Sequence, residues 1–266
     1  MKETTKTLID LTEVTTIATG SSVLLADSAG KGQRISPANL KAALNVANYD
    51  DVLDNVFVMC HRKSDNYPVA YRPSEWTAQQ NAGEVSTGVL IIDGGRHLVI
   101  APTEADTRML WSSAEVGTGY YKADRISAQQ DFDGKGNQQR IMALDTVRAD
   151  GDGYAPGFCA SYSRLNANGK GTPAGSWWLP SLGELYLIAA NLKKINYALG
   201  KITGAKKLRT DEAYWSSTEY SLRSEWPLHL GSMDQTTSFK AQYQRLVWPV
   251  SAYCKETYHN KNNKKR

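Results

Sequence analysis

One amphipathic segment constrains the fold of this chain more than any other feature. It lies within "SWWLPSLGELYLIAANLKKINYALGK", residues 176–201. Ser181 and Glu184 have the spacing of a capping box, and apolar residues then recur at helical spacing until a glycine. The pattern predicts one amphipathic helix over residues 182–199, with one face formed by Leu185, Ile188, Leu192, Ile195 and Leu199.

Short apolar runs separated by turn residues make up much of the remaining sequence. The runs "NVFVMC", "GVLIID" and "RHLVIA", all within residues 55–101, are typical of strands in a mainly antiparallel domain. Residues 112–175 are instead rich in glycine and aspartate and indicate long loops, which in a compact domain are usually functional or tightly packed. One helix among short strands and loops predicts an α+β fold.

The first 48 residues differ from the rest in their pattern of predicted elements. Two short β-prone runs flank a turn at Thr19 and Gly20, a loop is expected over residues 27–34, and "SPANLKAAL" predicts a helix over 36–44. A block of this size is too small to bury its own core. The sequence therefore predicts three parts: a β-rich attachment and oligomerisation module over 1–48, the main domain over 49–254, and a basic disordered tail over 255–266.

The charge pattern argues against a nucleic-acid partner. The formal net charge is +4, but the tail alone holds five basic residues and one acidic residue, so the rest of the chain is neutral. A nucleic-acid footprint needs a basic face, which the body lacks. The sequence also has no signal-peptide core and no apolar run of about 18 residues, so we expect folding in a cytoplasm and no membrane insertion.

The chain carries no recognisable catalytic motif. Its cysteines, Cys60, Cys159 and Cys254, form no CxxC pair, and we expect reduced, buried thiols. The four histidines form no metal-binding pair, and no phosphate-binding or nucleophile motif is present. "DFDGKGN" begins like an EF-hand loop, but Lys135 and Met142 occupy ligand positions, so a plain turn is favoured. We therefore expect no enzyme, no catalytic or metal-binding residue and no cofactor.

A series of motifs near the C-terminus carries a family resemblance. These motifs are "WWLPSLGEL" at 177–185, "YWSSTEY" at 214–220, a W-x-L-x-L strand at 226–230, a lysine at 240 and "VWPVSAY" at 247–253. Together with "HLVIAPTEADTRMLWSS" they resemble the C-type-lectin-like variable proteins that are diversified by retroelements in gut bacteria and their phages. The resemblance covers roughly residues 50–254 and implies a C-type-lectin-like fold for the main domain.

The resemblance also implies a diversified ligand-binding surface within residues 221–244. In this family, error-prone copying of adenines in a template makes outward positions arbitrary while the framework persists. Thirteen positions carry residue types reachable from an asparagine codon in this way: Ser221, Leu222, Arg223, Ser224, Pro227, His229, Gly231, Ser232, Asp234, Thr236, Ser238, Phe239 and Tyr243. Four nearby residues depart from that pattern: Met233, Gln235, Gln242 and Gln244. Trp248 differs in another way, since it stands where the resemblance implies an arginine before the proline.

The alternation of large apolar residues within this stretch predicts a supporting scaffold. We expect Trp215, Trp226, Leu228 and Leu230 to point inward, with the helix over 182–199 behind them. Surface substitutions typically change the free energy of unfolding by no more than about 0.5 kcal/mol, so outward positions tolerate change. Aromatic and charged anchors would come from Arg223, His229, Phe239 and Tyr243, the residue types that dominate interfaces.

The expected function is that of a phage receptor-binding protein at the tail tip or tail fibre. "GSSVLLADSAGKGQRISPANLKAAL" resembles modules at the start of virion proteins, which implies attachment to other tail proteins, a homotrimer and a location in the virion. The ligand is a host cell-surface protein or glycan. Two alternatives stay open: a bacterial cell-surface adhesin of the same fold, and an oxidoreductase related to formylglycine-generating enzymes, which would need reactive cysteines or a metal.

Overall fold

The structure is a computed structural model that describes residues 23–26, 32–35 and 55–253. The chain divides into two compact units, residues 1–52 and 53–266. Several predictions fall outside the described residues, namely the domain boundary at 48, the helix over 36–44, the basic tail and the state of Cys254.

The described part of the first unit is a two-stranded antiparallel ribbon. Strand β1 (Val23–Ala26) pairs with β2 (Gly32–Ile35), with Val23 opposite Ile35. The prediction of a loop at residues 32–34 is therefore wrong. Five residues, 27–31, are enough to connect two antiparallel strands. Residues 32–34 therefore pair with β1, although their composition indicated a loop.

Twelve strands lie in the described part of the second unit. They are β3 Val56–His61, β4 Pro68–Tyr71, β5 Ser86–Asp93, β6 Arg96–Ile100, β7 Arg164–Leu165, β8 Gly171–Thr172, β9 Trp177–Trp178, β10 Ala213–Tyr214, β11 Ser224–Glu225, β12 Leu228–His229, β13 Ser238–Phe239 and β14 Val250–Ala252.

Seven α-helices lie in the same described range, together with a 3₁₀ turn at Gly151–Gly153. The helices are α1 Pro73–Asn81, α2 Arg125–Gln129, α3 Gly134–Met142, α4 Asp145–Asp150, α5 Ala155–Ser161, α6 Leu182–Ala190 and α7 Leu192–Leu199. None of these helices has the length and apolar character needed to cross a bilayer.

A six-stranded antiparallel sheet forms the base of the second unit. Its strand order is β4-β3-β5-β6-β14-β9, so the last strand in sequence, β14, lies between β6 and β9. The apolar runs predicted as strands form β3, β5 and β6, and α7 packs against β3 and β5. Helices packed on an antiparallel sheet confirm the predicted α+β class, whereas the C-type-lectin-like fold stays a prediction.

The predicted helix over residues 182–199 is divided in two at Asn191. The predicted capping box is present, since Ser181 Oγ accepts from the Glu184 amide and the Ser181 amide donates to Glu184 Oε2 at 2.8 Å. The Asn191 side chain donates to the Leu187 carbonyl at 3.0 Å and accepts from Asn55 Nδ2 at 3.0 Å. These bonds compete with the helical backbone pattern, so α6 ends and α7 begins at this residue.

Short helices fill part of the region predicted as loops. Helices α2 to α5 all lie within residues 125–161, and each is nine residues or fewer. Such helices are too short to display an apolar periodicity, which explains why the pattern missed them. The segment "DFDGKGN", interpreted as a plain turn, is a helix start, because the Asp133 side chain caps α3 by accepting from the Gly136 amide at 3.1 Å.

Two apolar clusters form the core of the second unit. The larger one joins the six-stranded sheet to α6, α7 and the segment 226–230. The smaller one lies among α3, α4 and α5 and includes Trp111, Trp215 and Val247. Every indole N–H of the seven tryptophans is hydrogen-bonded, for example Trp226 Nε1 to the Lys122 carbonyl at 2.7 Å. The tryptophans therefore bury large rings without leaving unpaired donors.

Candidate binding surface

Three backbone turns carry most of the exposed residues of segment 220–243. In the first turn, residues 220–224, the amides of Tyr220 and Ser221 both donate to the Ser224 carbonyl. In the second turn, residues 229–234, the His229 amide donates to the Asp234 carbonyl at 3.1 Å. In the third turn, residues 239–243, amides donate back to a carbonyl at its start. The first and third turns are neighbours because β11 pairs with β13.

Seven of the thirteen predicted contact positions have exposed side chains on these turns or beside them. We call them the tip residues: Leu222, Arg223, Ser232, Asp234, Thr236, Phe239 and Tyr243. Three of them are large and apolar or aromatic, and their exposed fractions are 49% for Leu222, 43% for Phe239 and 48% for Tyr243. Large apolar side chains exposed this far are candidates for contact with a ligand.

Two further predicted positions are half-buried and act locally. Ser221 Oγ accepts from the amides of Arg223 and Ser224 at 3.3 and 3.2 Å, so it stabilises the first turn. His229 Nδ1 accepts from the Ser232 amide at 3.2 Å, so it stabilises the second turn. Both side chains therefore contribute to turn geometry.

The expected outward orientation is wrong for Ser224, Pro227 and Ser238, whose side chains are buried. Ser224 and Ser238 lie in the paired strands β11 and β13, and Ser238 Oγ accepts from Arg245 Nη2 at 3.1 Å. Pro227 lies in a segment, 224–228, in which consecutive residues are all buried. Because this segment is covered on both sides, the residues expected to point outward are buried together with those expected to point inward.

Gly231 is exposed, yet the structure does not permit free exchange of this residue. A Cβ atom at Gly231 would lie 2.1 Å from the Thr210 carbonyl oxygen and 3.0 Å from its carbonyl carbon. Any other residue would force the backbone of one segment to move. Close backbone approach therefore favours glycine at this position, and its assignment as a diversified position stays a prediction.

The inward residues of the predicted scaffold are confirmed. Trp215 and Leu228 are fully buried, and Trp226 and Leu230 are 6% and 2% exposed. The segment around Leu228 packs against α6, as expected for a helix behind the strand. Trp226, Leu228 and Leu230 belong to the larger apolar cluster, and Trp215 belongs to the smaller one, so both clusters support the segment that carries the turns.

Lys240 is fully buried beneath the first turn. Its Nζ donates to the carboxylate of Glu219, to the Val116 carbonyl at 2.8 Å, and to the carbonyls of Ser221 and Leu222 at 3.3 Å each. The contacts to the first turn are made with main-chain oxygens alone. Lys240 therefore holds the backbone of that turn without contacting the side chains of Ser221 or Leu222.

Lys240 is surrounded by an aromatic ring and by a network of buried polar groups. Its Nζ lies 4.5 Å from the centre of the Trp111 ring, a cation–π contact. Burial lowers the pKa of Lys240, and the adjacent carboxylate of Glu219 opposes this effect. Glu219 is held on its other side by the Thr118 amide and hydroxyl. Together these groups form a connected buried network under the exposed turn.

Gln235 provides a similar support beside the second turn. It is 4% exposed, and its Oε1 accepts from Gln129 Nε2 at 2.9 Å. Its carbonyl accepts from Arg125 at 3.1 Å, and the Tyr186 hydroxyl contacts both Gln235 Oε1 and the Met233 carbonyl. Gln235, one of the residues that departs from the asparagine-codon pattern, thus belongs to the framework.

Glu225 is a fully buried carboxyl next to these groups. Its Oε2 accepts from the amide and hydroxyl of Ser216 at 3.2 and 3.1 Å, whereas Oε1 has no partner among the described residues. Burial raises the pKa of Glu225 well above its ordinary value, and the bonds from Ser216 act in the opposite direction. The neutral acid is therefore favoured beneath the surface.

A shallow cleft opens between the third turn and the strand before it. Its volume is about 280 Å³. Phe239 and Tyr243 form a stacked pair with ring centres 6.3 Å apart and planes inclined by 12°. The guanidinium of Arg245 lies 5.5 Å from the centre of the Tyr243 ring. The cleft is lined by Ser224, Thr236, Thr237, Ser238, Phe239, Tyr243 and Arg245.

Several exposed or cleft-lining residues were not predicted from the sequence. Arg245 and Thr237 line the cleft but are absent from the predicted contacts. Tyr120 and Tyr121 are 50% and 38% exposed on the segment whose Lys122 amide donates to the Glu219 carbonyl. The adjacent tyrosines of "GTGYY" could have indicated exposed rings, since two neighbouring side chains in a glycine-rich loop are seldom both buried.

The described cysteines are free and buried, as predicted. Burial raises the pKa of the Cys60 thiol to about 12 and raises that of Cys159 as well. Thiols of this kind are poor nucleophiles because the thiolate is disfavoured. Within residues 23–26, 32–35 and 55–253, no group of three His, Cys, Asp or Glu side chains is arranged to hold a metal ion.

Comparison with known proteins gives one weak structural likeness. No family model matches the chain, and no curated protein sequence matches it. A solved structure of a fimbrial protein from Bacteroides ovatus is similar, with a TM-score of 0.41 and 18% sequence identity. The match covers 59% of this chain and 36% of the fimbrial protein, so the chain spans about a third of that protein. A likeness this low carries no conclusion about function.

Proposed function

We propose that this protein is a receptor-binding adhesin whose tip residues recognise a host cell-surface protein or glycan. In this proposal residues 49–254 form a C-type-lectin-like domain with a diversified surface, and recognition is non-covalent. The protein is displayed at a phage tail tip or fibre, where residues 1–48 join it to other tail proteins as a homotrimer. Several copies on one virion then raise the effective affinity by avidity.

The observation that carries this proposal is the way in which the exposed turns are held. Lys240 bonds to the carbonyls of Ser221 and Leu222, and Arg125 bonds to the carbonyl of Gln235. Buried groups therefore fix the backbone, while the tip side chains are free to change. This separation of contact residues from folding residues is what a binder with exchangeable specificity requires.

The chemistry of the tip residues supports recognition of a macromolecule. Leu222, Phe239 and Tyr243 offer apolar and aromatic area, and Arg223 adds a positive charge that pairs with Glu115 at 2.8 Å. Tyrosine and arginine are among the residue types that dominate the energy of many interfaces. The oxidoreductase alternative is disfavoured, since Cys60 and Cys159 are buried and their pKa values are raised.

An exchange of the seven tip residues tests the proposal. The variant replaces them with the corresponding residues of a sibling protein and leaves Ser224, Pro227, Gly231 and Ser238 unchanged. We expect an unchanged melting temperature and altered binding to host cells. A control variant exchanges exposed residues of α1, such as Thr77 and Asn81, and should bind like the parent. Unaltered cell binding in the tip variant would refute the proposal.

The place of display needs a separate experiment, because a bacterial cell-surface adhesin would use the same surface. Antibodies against the second unit, applied to purified virions and to the producing cells, distinguish the two. Labelling of the tail tip supports the phage protein. Labelling of the cell surface alone supports the alternative and leaves the recognition mechanism intact.

A further inference from the structure

The cleft beside the third turn has a composition that narrows the ligand class. Five of its seven lining residues, Ser224, Thr236, Thr237, Ser238 and Tyr243, carry hydroxyl groups, which donate and accept hydrogen bonds. Its volume of about 280 Å³ lies just below the range of roughly 300–1,000 Å³ typical of drug-sized pockets. The cleft therefore suits a single small polar ring better than an extended side-chain surface.

An aromatic platform borders this cleft. Phe239 and Tyr243 are nearly half exposed and stacked with an angle of 12° between their planes. Flat, exposed aromatic faces next to hydroxyl groups match a ligand with one apolar face and a polar edge. A pyranose sugar has this character, because its ring C–H groups form one face and its hydroxyls form the edge.

Arg245 lines the cleft and gives it a positive charge. Its backbone is fixed by reciprocal bonds with Met109 at 2.9 and 3.0 Å, and its Nη2 donates to Ser238 Oγ at 3.1 Å. Its Nε is buried and has no hydrogen-bond partner among the described residues. A guanidinium held in place at the wall of a cleft is suited to a carboxylate, which it binds with directional, charge-assisted bonds.

We propose that this cleft binds the carboxylate-bearing ring of an acidic carbohydrate. The sugar ring packs against Tyr243 and Phe239, its hydroxyls bond to the threonines and serines, and its carboxylate pairs with Arg245. This inference rests on the proposed function and deepens it, since it names an acidic glycan as the ligand of the first and third turns. Arg223, next to Ser224 in the chain, is 65% exposed at its side chain, and its charge is paired with Glu115 at 2.8 Å.

Calorimetric titration of the full chain tests this assignment. The probes are 3′-sialyllactose and a disaccharide with a terminal glucuronic acid, and the neutral counterpart is lactose. We expect binding of at least one acidic probe, no binding of lactose, and weaker binding at higher salt concentration because the charge pair is screened.

Three variants give the test its specificity. Arg245→Gln removes the charge but keeps a polar side chain, and it should raise the Kd of the acidic probe about tenfold or more, as expected for loss of a charge-assisted bond. Tyr243→Asn removes part of the platform and should also weaken binding. Arg209→Gln is the matched control, because Arg209 pairs with Asp211 at 3.0 Å outside the cleft, and it should bind like the parent. Near-ultraviolet circular dichroism checks that each variant is folded.

The outcomes separate this inference from the proposed function. Equal binding of lactose and the acidic probes, or unchanged binding in folded Arg245→Gln and Tyr243→Asn variants, overturns the acidic-sugar subsite. Absence of sugar binding in a protein that still binds host cells also overturns it, and indicates a protein receptor. If the chain binds neither sugars nor host cells, the proposed function fails as well.

Discussion

Lys240 and Glu219 form an ion pair in which both side chains are buried, 0% and 2% exposed, directly beneath an exposed turn. Buried ion pairs stabilise a fold only weakly in comparison with apolar groups, since both charges lose their hydration. The main effect of this pair is on the backbone of the turn. The ammonium group also bonds to the carbonyls of Ser221 and Leu222, so the pair fixes the path of the backbone without contacting a tip side chain.

We expect Lys240→Met to lower the free energy of unfolding by about 3–5 kcal/mol, because Glu219 is left buried without its counter-charge. Urea denaturation measures the change. Lys206→Met is the matched control, since Lys206 pairs with Asp106 at the surface and its loss should cost about 0–1 kcal/mol. The double variant Lys240→Met with Glu219→Gln should recover part of the loss; no recovery would contradict the ion-pair explanation.

We expect Gly231→Ala to lower the free energy of unfolding by about 1–3 kcal/mol, although the residue is exposed. The added Cβ would lie 2.1 Å from the Thr210 carbonyl oxygen, so the second turn must shift. Gly153→Ala provides the control, because a Cβ atom added at Gly153 would have no heavy atom within 4 Å outside its own chain neighbours. Equal melting temperatures for the two alanine variants would mean that position 231 is free to vary after all.

Stability should decrease as the pH rises from about 4.5 to about 7 because of Glu184. Burial raises the pKa of this carboxyl from 4.5 to about 7, against the opposing bonds from Ser181 and Trp178. Between these values the folded state holds a proton that the unfolded state has released, so each increase in pH favours unfolding. Above the folded-state pKa the free energy of unfolding has fallen by its full amount, roughly 3 kcal/mol.

The variant Glu184→Gln isolates this effect, since its side chain does not titrate. Urea denaturation at about pH 4.5 and about pH 7.5 should show a smaller loss of stability in the variant than in the parent. Other buried carboxyls, such as Glu225, contribute equally to both proteins and cancel in the comparison. Parallel pH dependences would show that Glu184 does not titrate as its burial indicates.

The same substitution at two adjacent residues of β13 should change the free energy of unfolding by different amounts. Phe239→Asn changes an exposed tip residue and should alter the free energy of unfolding by about 0.5 kcal/mol or less. Ser238→Asn enlarges a side chain that is 3% exposed and displaces its bond from Arg245, which should cost about 1–3 kcal/mol. Thermal melting distinguishes them, and similar losses in both would argue against the boundary drawn between tip and framework.

Patterns that extend over several residues were predictable from the sequence. The runs that form β3, β5 and β6 are apolar over their whole length, and the capping box at Ser181 has a fixed spacing. The inward placement of Trp226, Leu228 and Leu230 followed from alternation of large apolar residues. In each case the signal is local, and the tertiary structure agrees with the local preference.

Contacts between distant segments set the features that were not predictable. Asn191 interrupts a helical pattern because it bonds to Asn55, which is 136 residues away. Gly231 is constrained by Thr210, and Ser238 is covered because β13 pairs with β11. The cleft likewise depends on Arg245, whose position is fixed by Met109. A pattern within one segment contains no information about such partners.

The position of β14 has a consequence for how altered versions of the chain are screened. Because this strand is inserted between β6 and β9, the sheet cannot be completed until residue 250 has been synthesised. A stop codon introduced anywhere in 221–244 thus removes the strand that joins β9 to the other four strands of the sheet, and the truncated product should be degraded by cellular proteases. A chain ending at residue 249 should accordingly be digested far faster than the full chain in limited proteolysis.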